Sequence, residues 1–492
     1  MTTLSNYDNA SDSDGSCDDK RHQVLILFLN GEKVLLRKNC YGTSALPLVL
    51  CEESHPLEDG DEFNVFAAER LGLGFRFHFL RAESVYEYHH CGGDWEWLQD
   101  VALAEVLDVS CEAPPGYRWE EAHAVGKQEF EELSLPSELP ASCEADESGL
   151  QIRSVQPIGD VVRKYCDMEQ VCNAKAPWRR PGWYKEAEQW IKAALQSHNI
   201  SMTGHPVLVC NQDRNIVMKV SGDCKNAYFK QHEQIPEDSR WPSETTLTEY
   251  LSKKFPNFCI PKVLRADRTE NRLLMEEVAV VNDNGDEARL PDYEEMLRTL
   301  FELHSSCISI KGELVDASCK YQGLHVLQEL FLRALESKEV LDAPDQKTVS
   351  CIRNKVPAIM ARVEAIANIG LPDTLCHGDM SWPNVAFPSE EGGHYLFFDW
   401  ECAKISHPFF DVYRIFDYSR LSLAERESMS ASYLRRWTVY GHPYEELEAA
   451  WASFEIVLML LDLVNQVWPD KTEPDARVLG CILLRIAAEV EQ

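Results

Sequence analysis

Basic residues are scarce in this sequence. Lysine and arginine number 48 against 81 aspartates and glutamates, a formal charge of −33 over 492 residues. Nucleic-acid phosphates are bound through a basic face, and none is evident, which argues against nucleic acid as a partner. The acidic excess favours solubility and is compatible with a cationic small molecule. No apolar run reaches the ~18 residues of a membrane span. The longest, Ile456 to Val464, is interrupted by Asp462, so no membrane role is expected. The 17 cysteines include no CxxC pair and no regular spacing. With no cleavable leader at the N-terminus, they read as reduced, buried thiols of a cytoplasmic protein. His89-His90-Cys91 has no second ligand pair at zinc spacing and is not read as a metal site.

The chain is too long for one core, and two to three domains are expected. Hydrophobic residues at 45% and charged residues at 26% describe a globular protein. Residues 1–20 hold almost no large apolar groups and are expected to be a disordered tail. Structure begins with the run Gln23 to Leu29, then Asn30-Gly31 and Lys33 to Arg37, a hairpin with a favoured turn dipeptide. A helical piece over Phe63–Leu71 stops at Gly72 and Gly74. Strand-like segments follow at Phe75–Leu80, Ser84–Tyr88 and Trp95–Leu107. Pro, Ser and acidic residues from about Leu133 to Ala176 read as a linker with local helix from Ile158 to Val171.

From Trp183 the periodicity is helical, with Tyr184, Ala187, Trp190, Ile191, Ala194 and Leu195 on one face; packing explains these aromatics better than ligand stacking. Pro206 to Glu277 then reads as three strands, a helix capped by Ser243, and two more strands. A further helix starts after Pro291, with His304 on its apolar stripe as a satisfied core histidine. Helices are also expected at 323–337, 346–367, 423–436, 444–467 and 475–490.

The stretch from Cys376 to Trp400, CHGDMSWPNVAFPSEEGGHYLFFDW, carries the chemistry. Asp379 stands two residues after His377, Asn384 five after Asp379, and Asp399 ends the apolar run Tyr395–Phe398, a short buried strand behind the turn Glu391-Gly392-Gly393. A carboxylate on a loop can accept a hydroxyl proton. An amide and a second carboxylate can hold Mg²⁺, which takes hard oxygen ligands and bridges substrate phosphates. The alternative without chemistry is an Asx-rich surface loop. His, Asp, Asn and the later Asp-Trp falling into place together favours the former.

HGDMSWPN followed by FFDWE resembles the catalytic and metal-binding loops of the aminoglycoside phosphotransferase/choline kinase-like family, whose fold is protein-kinase-like. The resemblance runs from about Trp178 past Arg414 and includes RPGWYKEAEQWI, NAYFK, SETTLTEYL, LLMEE and ISHPFFDVYR. Family members usually carry His, Pro and Gly where this chain has Ser381, Trp382 and Pro383. Residues 21–135 more weakly resemble a Nudix domain. Their helix holds Ala67 and Ala68 before Glu69, and one glutamate cannot assemble a metal cluster, so this accessory domain is expected to be inactive.

The resemblance implies an α+β, two-lobed fold: a small β-rich lobe with its leading helix over 181–280, and a helical lobe with the catalytic loop over 281–492. A Nudix-like α/β domain (21–135) and a linker (136–180) precede them. ATP and Mg²⁺ are the implied cofactors and a small-molecule hydroxyl the acceptor. Asp379 would orient that hydroxyl and take its proton, while Asn384 and Asp399 hold the metal. Lys230 would meet the α/β-phosphates with Glu244 as its ion-pair partner, and Met275, Glu276, Glu277 and Val278 would receive adenine. His377 and Asp411 would brace the loop. Lys219, in IVMKV, is the rival for the ATP lysine. Lys230 is preferred because it lies on the third strand, 14 residues before Glu244, and YFK matches the family.

A protein kinase is disfavoured. Only eleven residues separate Asp399 from Asp411, and there is neither an APE motif nor a GxGxxG. A non-catalytic nucleotide-binding or scaffold protein of the same fold is the remaining alternative.

Overall fold

The computed structural model describes residues 21–38, 44–51, 60–90, 96–108, 112–126, 150–154, 158–212, 214–235, 241–280, 291–388, 393–417, 419, 421–467 and 476–491. The expected tail (1–20), the first part of the linker and the turn residues Glu391 and Gly392 lie outside them. The chain forms two compact units, Met1–Glu233 and Gln234–Gln492.

The first unit begins with strands β1 (Arg21–Asn30), β2 (Lys33–Lys38), β3 (Ser44–Ala45) and β4 (Leu48–Cys51), followed by helix α1 (Gly60–Leu71). β5 (Phe77–His90), β6 (Glu96–Val106), β7 (Tyr117–Glu121), the short α2 (Ala122–Val125) and β8 (Leu150–Ser154) come next. These strands build one sheet in the order β3-β2-β1-β6-β5-β8, with β4 also on β1 and β7 on β2. Leu25, Leu27 and Leu29 of β1 face one core, shared with α3 (Ile158–Cys166) and Val171 of α4 (Met168–Cys172). Val24, Ile26 and Phe28 face the other, against Phe63 and Ala67 of α1. An uninterrupted apolar run is what a strand covered on both faces requires.

The hairpin register differs by one residue from expectation: Asn30 pairs with Lys33, so the loop is Gly31-Glu32, with Gly31 at φ +62°. The two segments expected at 75–88 are one strand, β5, whose register shifts at Phe79/Arg81 and Ser84/Tyr86 absorb the polar interruption. The expected linker contributes β8, which pairs with Tyr86–His90. Helix α5 (Trp183–Ser197) buries Trp183, Tyr184, Ala187, Trp190, Ile191, Ala194 and Leu195, the face its periodicity predicts. An antiparallel meander follows: β9 (Val207–Asn211), β10 (Asn215–Val220) and β11 (Ala227–His232).

The second unit opens with α6 (Glu244–Lys254), where the Ser243 hydroxyl accepts the Thr246 N–H at 3.3 Å, and the hairpin β12 (Val263–Asp267)/β13 (Arg272–Glu276). Then come α7 (Tyr293–Cys307), α8 (Lys311–Asp316), β14 (Lys320–Tyr321), α9 (Leu324–Leu335), α10 (Lys338–Leu341) and α11 (Gln346–Asn368). Strands β15 (Thr374–Cys376), β16 (Val385–Ala386), β17 (Leu396–Phe397) and β18 (Lys404–Ser406) carry the loop of interest. Helices α12 (Phe409–Asp417), α13 (Leu423–Trp437), α14 (Tyr444–Ala452), α15 (Glu455–Val467) and α16 (Ala476–Glu491) complete the unit. The single helix expected over 444–467 is two, broken at Ser453-Phe454. Asp462, which interrupts its apolar run, binds Arg414 at 2.6 Å. Among the described residues, no helix is long and apolar enough to cross a membrane.

Candidate active site

β15 pairs with β18, Leu375 opposite Ile405, and delivers His377-Gly378-Asp379 at its end. Gly378 sits at φ +84°, and any Cβ there would collide with the Cys402 carbonyl, so the turn admits only glycine. The fully buried Asp411 holds this turn from behind. Its carboxylate accepts the N–H groups of His377 at 2.8 Å and Gly378 at 3.0 Å. The His304 Nε2–H lies 3.2 Å from the same carboxylate, and Nδ1 of that ring 2.8 Å from the Tyr433 hydroxyl. Burial would raise the Asp411 carboxyl. The bond and charge of His304, the charge of His377 and the Gly378 N–H outweigh it and hold the group below its ordinary range. The His377 Nε2–H donates to the Phe398 carbonyl at 2.7 Å, and its ring lies 4.6 Å from that of Trp400.

The loop closes on itself between Asp379 and Asn384. The Ser381 N–H donates to the Asp379 carbonyl and the Asn384 N–H to the Ser381 carbonyl, both at 3.0 Å. The Asn384 Nδ2–H₂ donates to the Asp379 carbonyl at 2.9 Å and to its carboxylate at 3.1 Å. β16 pairs with β17, and the Phe398 N–H reaches the Asn384 carbonyl at 3.1 Å. Asn384 and Asp399 therefore stand at the same end of this hairpin. Asp399 takes the left-handed conformation, φ 69° and ψ 59°, a strain that Asp tolerates better than most residues. The Cys402 thiol is pushed up to about 12 by burial and then by the charges of Glu401, Asp379 and Asp399 around it.

The segment beyond β13 runs beside this hairpin. Val280 bridges Ala386, and the Phe387 N–H donates to the Ala279 carbonyl at 2.8 Å. Met275 is buried, Glu276, Glu277 and Val278 are half-buried, and Glu276 pairs with Lys262 at 3.1 Å. The second unit therefore brings the expected hinge, Asp379, Asn384 and Asp399 together around β16. Glu244 is buried at the start of α6, with a carboxylate oxygen within 4.8 Å of one on Glu401.

Lys230 belongs to the first unit, buried on β11 opposite Val217 of β10. Lys219, the rival, belongs to the same unit. It is half-buried, lies opposite Tyr228 and holds its ammonium 5.9 Å from that ring, so the two lysines share a sheet face.

Three contributors were not foreseen. His304 is buried as expected, but its ring is bonded to the loop anchor rather than merely accommodated. No sequence pattern links it to Asp411, 107 residues on. Glu401 was passed over as the residue after Asp-Trp. Lys404 is fully buried on β18, its ammonium 5.1 Å from the Phe410 ring, and burial holds it below the usual lysine range. Only its place in an apolar strand hinted at this.

No curated protein matches the chain. Among solved structures, a choline kinase from Streptococcus pneumoniae is similar at 13% identity and a TM-score of 0.39, covering 62% of this chain and 99% of that one. A choline/ethanolamine kinase family protein from Mesorhizobium loti gives 15% and 0.41, covering 63% and 95%. A macrolide 2'-phosphotransferase from Brachybacterium faecium gives 12% and 0.41, covering 62% and 98%. Residues 231–451 match the phosphotransferase enzyme family.

Proposed function

We propose that this protein transfers the γ-phosphoryl group of ATP to a hydroxyl of a small molecule, with Mg²⁺ as cofactor. The observation that carries the reading is the Asp379–Asn384 bond on a turn held by buried Asp411. Phosphoryl transfer asks for positioning and charge neutralisation rather than covalent chemistry, and a rigidly held loop supplies the first.

In this reading Asp379, half-buried and oriented by the Asn384 amide, aligns the acceptor hydroxyl and takes its proton. Because Asn384 spends its nitrogen on Asp379, its Oδ1 is the atom left for a cation. With Asp399 on the same hairpin end, this is an oxygen donor set suited to a hard divalent ion. Bound there, Mg²⁺ would neutralise charge on the β- and γ-phosphates. Lys230 and Glu244 keep their assignment to the nucleotide phosphates, and Met275–Val278 theirs to adenine. The lobes are assigned to 181–280 and 281–492.

Residues 21–135 remain a Nudix-like accessory domain without hydrolytic activity, since Glu69 stands exposed on α1. The protein is assigned to the cytoplasm. The scaffold alternative gains no observation of its own, because the convergence of Asp379, Asn384 and Asp399 would be idle in a scaffold.

The test is a label-transfer screen. The full chain, Mg²⁺ and γ-labelled ATP are incubated with metabolite extracts and a panel of aminoglycosides, choline-like amines, amino alcohols and sugars. Label should pass to a small molecule and not do so with Asp379→Asn. ATP binding without transfer to any extract or panel member would favour the scaffold.

A further inference from the structure

The path from the N-terminal sheet to Lys230 lies wholly within the first unit. Glu105 on β6 stands opposite His78 on β5, and both side chains are buried. The Glu105 carboxylate accepts the Gly182 N–H at 2.8 Å. Gly182, at φ +89°, immediately precedes α5, where a helix start favours negative charge. The His78 Nε2–H donates to the Trp178 carbonyl at 3.1 Å, and its ring lies 5.6 Å from Trp183 and 5.7 Å from Tyr184. Two side chains of the sheet therefore fix where α5 begins.

α5 in turn grips β11. The Trp183 Nε1–H donates to the Gln231 Oε1 at 2.8 Å, between side chains that are 5% and 1% exposed. The Phe229 ring lies 6.2 Å from Trp183 and meets Trp190 edge-on at 5.7 Å. Side chains alternate along a strand, so Phe229 and Gln231 share the face against α5 and Lys230 projects from the other. Both neighbours of Lys230 are thus held from behind by one helix. Without the indole N–H, the buried Gln231 oxygen loses this donor, and the strand loses a buried bond to α5.

We infer that the N-terminal sheet positions the ATP lysine, with Glu105 and Trp183 as positioning residues acting through Gln231 on Lys230. The inference rests on the proposed role of Lys230 and gives the accessory domain a task other than hydrolysis. Such a sheet is an integral part of the nucleotide-binding lobe, not a tethered module.

Calorimetric titration of the full chain with Mg·ATP, alongside thermal unfolding, tests it. Trp183→Phe, Gln231→Leu and Glu105→Ala should each weaken ATP binding about fivefold, the equilibrium equivalent of one buried hydrogen bond. Glu105→Gln keeps an acceptor for the Gly182 N–H and should stay within about twofold of the parent. In a Lys230→Met background, Trp183→Phe should weaken binding no further, an outcome that a merely structural role would not produce. Unchanged ATP affinity in folded Trp183→Phe and Glu105→Ala, or an undiminished Trp183→Phe effect without Lys230, overturns the inference. If Lys230→Met itself leaves ATP affinity unchanged, the error lies in the assignment of Lys230, and the inference falls with it.

Discussion

The two units use buried polar groups in opposite ways. In the first, His78 and Glu105 are buried and spend their hydrogen bonds on the backbone of the segment leading into α5. Glu105 keeps its second carboxylate oxygen buried without a hydrogen-bond partner, but among the described residues no group of three metal-binding side chains includes it or Glu69, which stands exposed on α1. In the second, buried Asp411 also spends its bonds on backbone, but that backbone belongs to a turn whose next residue, Asp379, is only half-buried. Burial of a charge is therefore no mark of chemistry by itself. What distinguishes the second unit is a buried anchor one step behind a polar group that still reaches solvent, a division between holding and acting.

The sharpest test of that division compares the actor with its neighbours. In the proposed roles Asp379→Asn removes the proton acceptor but no metal ligand, so turnover should fall about 10³-fold with ATP affinity nearly intact. Asp399→Ala should instead weaken Mg·ATP binding. Equal behaviour of the two variants in a nucleotide titration would show that holding and acting are not divided as argued.

Next comes the anchor. Asp411→Ala strands the buried His377 N–H, the half-buried Gly378 N–H and the His304 ring, and breaking a buried charged network costs about 3–5 kcal/mol. Chemical denaturation of the full chain should show that loss in the second unit. An effect below about 1 kcal/mol would mean the loop keeps its shape without its anchor.

Acid provides a third test, aimed at the first unit. Burial lowers His78 to about 4 from an ordinary 6.5, and the bond to the Trp178 carbonyl only partly offsets this. The folded state thus binds its proton later than the unfolded one. The stability is complete above pH 6.5, falls as pH drops from 6.5 to about 4, and is fully lost below that, a loss of about 3 kcal/mol. Replacing His78 with Gln, which can still donate to a carbonyl, should flatten that limb by about one proton. An unchanged limb would place the titration elsewhere; the His407 imidazole, which burial and then the nearby His304 hold near 3 in the second unit, is the competing group.

Much of this was legible in the residues, and the exceptions share a cause. The double-sided apolar run of β1, the aromatic face of α5 and the spacing of Asp379, Asn384 and Asp399 are local patterns, and local patterns survive in one dimension. β8 reads as linker because its pairing partner lies 60 to 68 residues upstream and its flanks are polar. Arg81-Ala82-Glu83 looked like a gap between strands because a register shift lets a strand carry polar residues. His304 meets Asp411, and Tyr433 meets His304, from helices far apart in the chain, so their part in the anchor is a product of packing alone. Asp411 itself was legible only through resemblance to a family.

The smallest expected effect concerns Glu69, and its smallness is informative. If the first unit held a metal-dependent hydrolase, Glu69 would be its surviving ligand, and its loss would abolish cleavage of nucleoside diphosphate derivatives. A metal of this class needs several oxygen donors, and on α1 the positions just before Glu69 are Ala67, buried, and Ala68. Among the described residues, no group of three metal-binding side chains includes Glu69. An exposed helix residue without such company changes stability by less than about 0.5 kcal/mol when replaced. Glu69→Gln should therefore leave unfolding, ATP affinity and phosphate transfer where they were, and the full chain should release no product from nucleoside diphosphate derivatives with Mg²⁺ in either form. Mg²⁺-dependent cleavage that disappears with Glu69→Gln would erase the contrast between the units, because both would then act as well as hold.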